Sequence, residues 1–394
     1  MRTAAATLFA LTVSASAGLA QIPNLPTLGP SWTDLAYPKV YWTPRDGVTF
    51  GLYYAQVRPL GYDDYNAPPP YRGTITLDGH IATSGSKGLE LAARFPKMLD
   101  GWRLTLVLQA VRRARENFFG IGNDAEFDGD NVTDAQPHFY RSDNRRLIAR
   151  GEIQRRIIGG LRVLTGFHAE GWRIDTLPGA SQLAADLQAG LDPTIGISTA
   201  DISGRVGLVF DTRNDEVAPR RGVRLEAIYG FADSTVAGDL SYTRATVSAT
   251  GYLPVRHNLL LAARVVGQSM TGSPGLGSLY HIEASSDPFF GVGGASSHRA
   301  LRRRRLLDAG KLLANFDVRY DLLAEPTLFR VTLVGFLDAG RVFPVDEFRL
   351  TTDDLHVGGG LGLFVQLFRA GILGTTTAVG PDGFTAHFHT QWTY

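Results

Sequence analysis

Apolar and polar residues alternate one for one along most of the chain. From Phe384 onward, Phe384, Ala386, Phe388, Thr390, Trp392 and Tyr394 fall on one face, and Thr385, His387, His389, Gln391 and Thr393 on the other. The same pattern sets Trp102/Leu104/Leu106/Leu108/Ala110 against Arg103/Thr105/Gln109, and Leu161/Val163/Phe167 against Arg162/His168/Glu170. It returns around Val223–Phe231, Leu312–Asp321 and Leu355–Val365. A repeat of two is the side-chain repeat of a β-strand.

Read this way, the chain predicts strands at 46–57, 71–82, 88–95, 101–112, 144–156, 159–172, 201–212, 222–232, 237–252, 257–269, 311–322, 328–340, 355–366, 369–378 and 384–394. Their apolar faces are aromatic-tipped and about ten residues long, the span of a strand that crosses a bilayer. Their other faces carry charges and histidines that the core of a soluble sandwich could not take in without partners. A membrane also requires every backbone group to be paired, which a sheet achieves only by closing on itself. The expected fold is therefore all-β, a transmembrane antiparallel β-barrel. Bacterial single-chain barrels have even strand numbers, so a sixteenth strand is expected, at 38–44 or within 132–142. The short turns at Ile158-Gly159, Pro254-Val255-Arg256 and Glu325-Pro326 predict a periplasmic rim, and 113–143, 173–198, 270–310 and 341–354 predict external loops.

The first residues change the compartment. Arg2 precedes an apolar run from Ala4 to Val13 and a small-residue ending Gly18-Leu19-Ala20, which predicts a signal peptide over 1–20 cleaved before Gln21. Residues 21–36, with Pro23, Pro26 and Pro30, predict a short periplasmic tether, and 37–394 the outer-membrane barrel. No later window is apolar and uncharged for the ~18 residues that a transmembrane helix needs.

Composition removes other chemistry. The 39 basic and 38 acidic residues give a net charge of +1, which leaves no global electrostatic case for nucleic acid. The absence of Cys excludes thiol nucleophiles and thiolate metal sites. Of the basic residues only Lys39, Lys87, Lys97 and Lys311 are lysines, leaving arginine to supply the cations of the polar faces. A barrel-embedded hydrolase would need a base among the nine histidines beside a nucleophile such as Ser296 or Ser297, yet no G-x-S-x-G elbow occurs. His387 and His389 stand two apart on one strand face, where hydration suffices, and Gly293-Gly294 lacks the Lys-Ser/Thr ending of a phosphate loop. No catalytic, cofactor-binding or metal-binding residue is expected.

Four local patterns carry a resemblance. They are Asp211-Thr212-Arg213-Asn214 with Pro219 and Gly222, Asn117-Phe118-Phe119-Gly120-Ile121-Gly122-Asn123, Gly335-Phe336-Leu337-Asp338-Ala339-Gly340, and Asn315-Phe316-Asp317-Val318-Arg319. Together, ahead of an aromatic C-terminus, they resemble the outer-membrane-protein-85 superfamily of barrels, the BamA/TamA-like and surface-antigen group. The resemblance implies a long loop folded into the lumen. The family's [VI]-R-G-[YF] loop tip is here His298-Arg299-Ala300-Leu301, which keeps only the arginine. Family members that insert or secrete proteins carry POTRA domains ahead of the barrel, and residues 21–36 are too few for one, so a stand-alone barrel is expected. The implied activity is insertion or translocation of proteins or lipids at the outer membrane. A porin-like channel for small solutes is the alternative. The partners implied are outer-membrane lipid including lipopolysaccharide, the barrel assembly machinery and client outer-membrane proteins.

Period two places Phe336, Asp338 and Gly340 on the lumen face of their strand and Leu333, Leu337 and Ala339 toward lipid. A carboxylate inside a barrel wall is costly unless a cation meets it. Arg299 is expected to do so, locking the loop to the barrel, with Gly340 allowing close approach. Asp211, Arg213, Pro219 and Gly222 are expected to form a structural strand-turn motif. Phe388, Trp392 and Tyr394 are expected to form an outward aromatic face that serves as the C-terminal assembly signal.

Overall fold

The computed structural model describes residues 31–285, 287–325 and 328–394. The expected signal peptide, the tether's residues 21–30 and Pro326 lie outside the described residues. Sixteen strands form one antiparallel sheet in strict chain order. They are β1 (Thr33–Thr43), β2 (Gly47–Arg58), β3 (Gly73–Ala82), β4 (Lys87–Leu99), β5 (Trp102–Asn117), β6 (Arg141–Ile158), β7 (Leu161–Thr176), β8 (Thr199–Asp211), β9 (Gly222–Ala232), β10 (Ser241–Arg256), β11 (Leu259–Ser273), β14 (Gly310–Glu325), β15 (Phe329–Phe343), β16 (His356–Leu367), β17 (Gly371–Gly380) and β18 (Gly383–His389). The two-residue strands β12 (His281–Ile282) and β13 (Phe289–Phe290) pair only with each other, inside the connection from β11 to β14.

The sixteenth strand is the one around 38–44. It begins at Thr33, inside the segment expected to be a tether, and pairs with β2 from Thr33↔Val57 to Thr43↔Gly47. The rival segment 132–142 is loop up to Arg141. β5 and β6 run several residues past their expected ends. Past those ends, after an irregularity between Arg113 and Glu116, Glu116 pairs with Ser142 and Asn117 with Arg141.

Burial is inverted relative to a soluble protein. Leu147, Phe167, Val247 and Leu337 are exposed, whereas Arg146, Glu170, Arg244 and Asp338 on the same strands are buried. Hydrocarbon is the solvent of the outer face, and the charges turn inward to meet one another. No helix among the described residues is long and apolar enough to cross a membrane. Two α-helices among the described residues, α1 (Gln182–Gln188) and α2 (Leu276–Leu279), both lie in loops.

What fills the barrel is the connection 274–309. Leu276, Leu279, Tyr280, Ile282, Val292, Leu301, Leu306 and Leu307 within it are all buried. They pack in two clusters: one with Trp172, Ile174, Tyr242 and Met270, the other with Val266, Leu313 and Val342 of the wall. This segment is a plug folded into the lumen.

Candidate functional site

The plug is fixed at Arg299, which is 1% exposed. Its backbone N–H donates to Asp338 Oδ2 at 2.7 Å, its Nε to the same oxygen at 2.9 Å, and its Nη2 to Asp338 Oδ1 at 2.7 Å. Nη2 also donates to Asp317 Oδ1 at 2.7 Å. The guanidinium lies 3.8 Å from the centroid of the Phe336 ring, so one arginine meets two carboxylates and an aromatic face. The surroundings complete the set: Asn315 Nδ2 donates to Asp338 Oδ1, and Arg319 donates from Nε and Nη2 to Asp317 Oδ2. Burial opposes the charge on Arg299. The hydrogen bonds of Asp338 and the field of Asp317 outweigh it, so the pKa stands above the usual arginine value.

The Arg299 carbonyl is used as well. It accepts from Thr385 Oγ1 at 2.8 Å and pairs with His387 Nε2 at 2.9 Å. One loop residue thus binds β14 and β15 through its side chain and β18, at the end of the sheet, through its backbone. Among the described residues no ladder joins β1 to β18.

Space at the tip is made by the wall. A Cβ at Gly358 would stand 2.3 Å from Ala300 Cβ, and one at Gly380 2.9 Å from it. The loop carries alanine after its arginine, and two wall glycines receive that methyl group. Gly340 plays the milder part, since a Cβ there would meet Val292 at 3.1 Å. Ser297, one of the hydroxyls weighed as a nucleophile, donates to Gly291 O and accepts from Gly293 N, which spends it on the loop's own backbone.

Further ties run along the plug. Glu283 receives Arg150 at 2.9 Å and also Arg205, and Arg205 reaches Glu152 as well. Ser278 Oγ donates to Asp201 at 2.6 Å. His281 lies 2.7 Å from Glu170, which also receives Arg146 at 2.8 Å and His168 at 3.1 Å. The run Arg302–Arg305 divides. Arg304 reaches buried Glu116 at 3.0 Å and Arg305 reaches Asp382 at 2.8 Å, while Arg302 stays exposed. Gly122 N donates to Leu307 O at 2.9 Å, so the Asn117–Asn123 loop packs on the plug. These contacts lie beyond the reach of the sequence, because the partners of the plug residues stand 77 or more positions away in the chain.

The Asp211–Gly222 motif forms the β8–β9 turn. Asp211 accepts Arg213 Nε at 3.0 Å and Nη2 at 2.8 Å, and Asn214 Oδ1 accepts the backbone N–H groups of Arg220 and Arg221. Gly222 has φ +102°, and a Cβ there would sit 2.4 Å from Thr212 O, so no other residue fits without strain. Pro219 is buried beside it. The turn enters the lumen: Glu216 binds Arg103, Arg369 reaches Asp215 at 3.0 Å, and Ala218 packs with Ala300, Phe336 and Phe364.

The C-terminus departs from the expected outward face. β18 ends at His389, with Phe384 and Phe388 outward, and the chain then bends inward. Trp392 stacks on Phe364 at 4.4 Å with the Arg319 guanidinium 4.2 Å from its ring. Tyr394 donates to Ala262 O at 3.1 Å, and Arg264 Nη1 reaches Thr393 O. Lumen-facing Arg264 and Arg319 supply cation faces and donors that lipid could not, which draws Trp392 and Tyr394 out of the outward face. Between the plug, the β1–β5 wall and this tail remains a cavity of about 1,560 Å³, bordered by Arg94, Arg103, Arg162, Glu216 and Trp392.

Residues 117–367 match the model of the Omp85 superfamily domain. The structure resembles that of BamA from Haemophilus ducreyi lacking POTRA domains 1–3, with TM-score 0.55 and 13% identity over 91% of this chain and 69% of that one. It also resembles CdiB from Escherichia coli, with TM-score 0.57 and 12% identity over 91% of this chain and 62% of that one. This chain therefore spans about two thirds of each neighbour. No curated protein matches the sequence. At these identities the neighbours speak for the fold alone. The family match spans the Asn117–Asn123 loop, the Asp211–Gly222 turn, the plug and the strand that bears Asp338, and the chain belongs to the Omp85 superfamily.

Proposed function

We propose that this chain is exported by a signal at 1–20, assembles as an outer-membrane barrel, and there assists the insertion or translocation of proteins or lipids. The observation that carries this reading is the double use of Arg299: its side chain pins the plug to Asp338 and Asp317, and its carbonyl holds Thr385 and His387 of the last strand. A lumen blocked by a loop that is bonded to the terminal strand suits a device acting at the sheet's ends better than an open sieve. Membership of the superfamily supports the same role. Outer-membrane lipid including lipopolysaccharide would surround the barrel, and the barrel assembly machinery would act during its biogenesis, with the C-terminal aromatics as its signal. Client outer-membrane proteins would be the substrates.

The test is reconstitution of the full chain in liposomes with a urea-denatured client barrel. Faster client folding than in empty liposomes is expected. No acceleration would contradict the proposal. A second reading, a channel for small solutes, rests on the residual cavity of about 1,560 Å³ and would show as stable conductance without client folding.

A further inference from the structure

His168 and Glu170 project into the lumen from β7, and His281 meets them from the plug. Both imidazoles converge on one oxygen. His281 Nε2 lies 2.7 Å and His168 Nε2 3.1 Å from Glu170 Oε2, and the three atoms all lie within 4.8 Å of one another. The other carboxylate oxygen, Oε1, is held by Arg146 Nη1 at 2.8 Å, which leaves Oε2 as a single directed donor. His281 is itself held in place, since Gln268 Nε2 donates to its carbonyl at 2.9 Å and Phe290 packs on its ring at 4.9 Å. All three residues are at most 5% exposed.

Two imidazoles and a carboxylate are the donor set of late first-row divalent ions, with bonds of about 2.0–2.2 Å. Bonds of that length set tetrahedral ligand atoms about 3.3 Å apart, so His281 and His168 would back away from Oε2 by roughly 0.6 and 0.2 Å, while their two ring nitrogens, within 4.8 Å of each other, close to that separation by side-chain rotation. The geometry points to a Zn²⁺-class metal site at His168, Glu170 and His281 that staples the plug to the barrel wall. On binding, each imidazole carries its proton on Nδ1 rather than Nε2, so the neutral rings lose no proton. A water completes the shell. Arg146 orients the carboxylate through its outer oxygen, as groups around a ligand commonly do, and its charge moderates the affinity.

The test uses the untagged full chain in detergent, stripped with chelator and titrated with Zn²⁺ alone. One equivalent should bind, and plug cleavage by added protease should slow. His281→Ala should weaken binding at least about tenfold, the scale on which even supporting partners of ligands act. His257→Ala, in an exposed turn, should leave it unchanged. No stoichiometric binding, or equal binding by His281→Ala, would overturn the proposal. Should His281→Ala fail to give a heat-modifiable barrel, Cu²⁺ electron paramagnetic resonance of the unaltered chain decides. Coupling to two imidazole nitrogens supports the site, and its absence overturns it.

Discussion

Removing the Arg299 side chain should release the plug, and the contacts fix the size of the effect. Asp338 would lose two of its four donors, keeping the backbone N–H of residue 299 and Asn315, while Asp317 would keep Arg319. Breaking one side of a buried, hydrogen-bonded ion pair costs about 3–5 kcal/mol, since the remaining charge stays in a dry site. At ~1.4 kcal/mol per tenfold, the open population of the loop rises by a factor of roughly 10² to 4 × 10³. Where opening is fast relative to cleavage, proteolysis reads that population directly. Asp338→Ala should cost somewhat less, because Arg299 retains Asp317. The double variant should be no worse than the worse single, for no unpaired charge remains between the two positions. The assay is limited proteolysis of the folded barrel in detergent, with cleavage sites mapped to 274–309. Additive effects of the two single variants would refute a coupled pair and remove the main physical support for the lock.

Other outcomes follow from the same contacts. Gly222→Ala should lower folded yield or melting by the ~1–3 kcal/mol of a strained backbone position, whereas Gly171→Ala, with nothing within 4 Å of its Cβ, should be neutral in the same heat-modifiability gel. Deleting Gln391–Tyr394 removes the Trp392–Phe364 stack and the Tyr394 hydrogen bond, and should abolish accumulation in outer membranes by immunoblot. The full chain should migrate heat-modifiably and resist alkaline extraction, and recovery as a soluble periplasmic protein would contradict the barrel.

Much of this was legible because a barrel is a one-dimensional code. Each strand pairs with its chain neighbour, so period two alone places Leu337 outward and Asp338 inward. The weak point was β1, which carries Pro38 at its centre and polar Thr33 and Asp34 at its start, so pairing with β2 rather than pattern defines its length. The plug followed no period. Its position depends on single contacts such as Arg304–Glu116 and His281–Glu170, whose partners are set by the roll of the barrel. Likewise, alternation continues through Trp392 and Tyr394, but the last four residues obey the pull of Arg319 and Arg264 in the lumen instead. The two-residue spacing of His168 and Glu170 resembles any lumen face until His281 arrives from the plug.

Single-channel recording in planar bilayers tests the central claim most directly, that this is a membrane-spanning barrel whose lumen is stopped by a locked loop. The unaltered chain should insert and show small, intermittent currents, and deletion of 283–307 should convert them to large, stable ones. A wide, steady conductance from the unaltered chain, unchanged by that deletion, would contradict it.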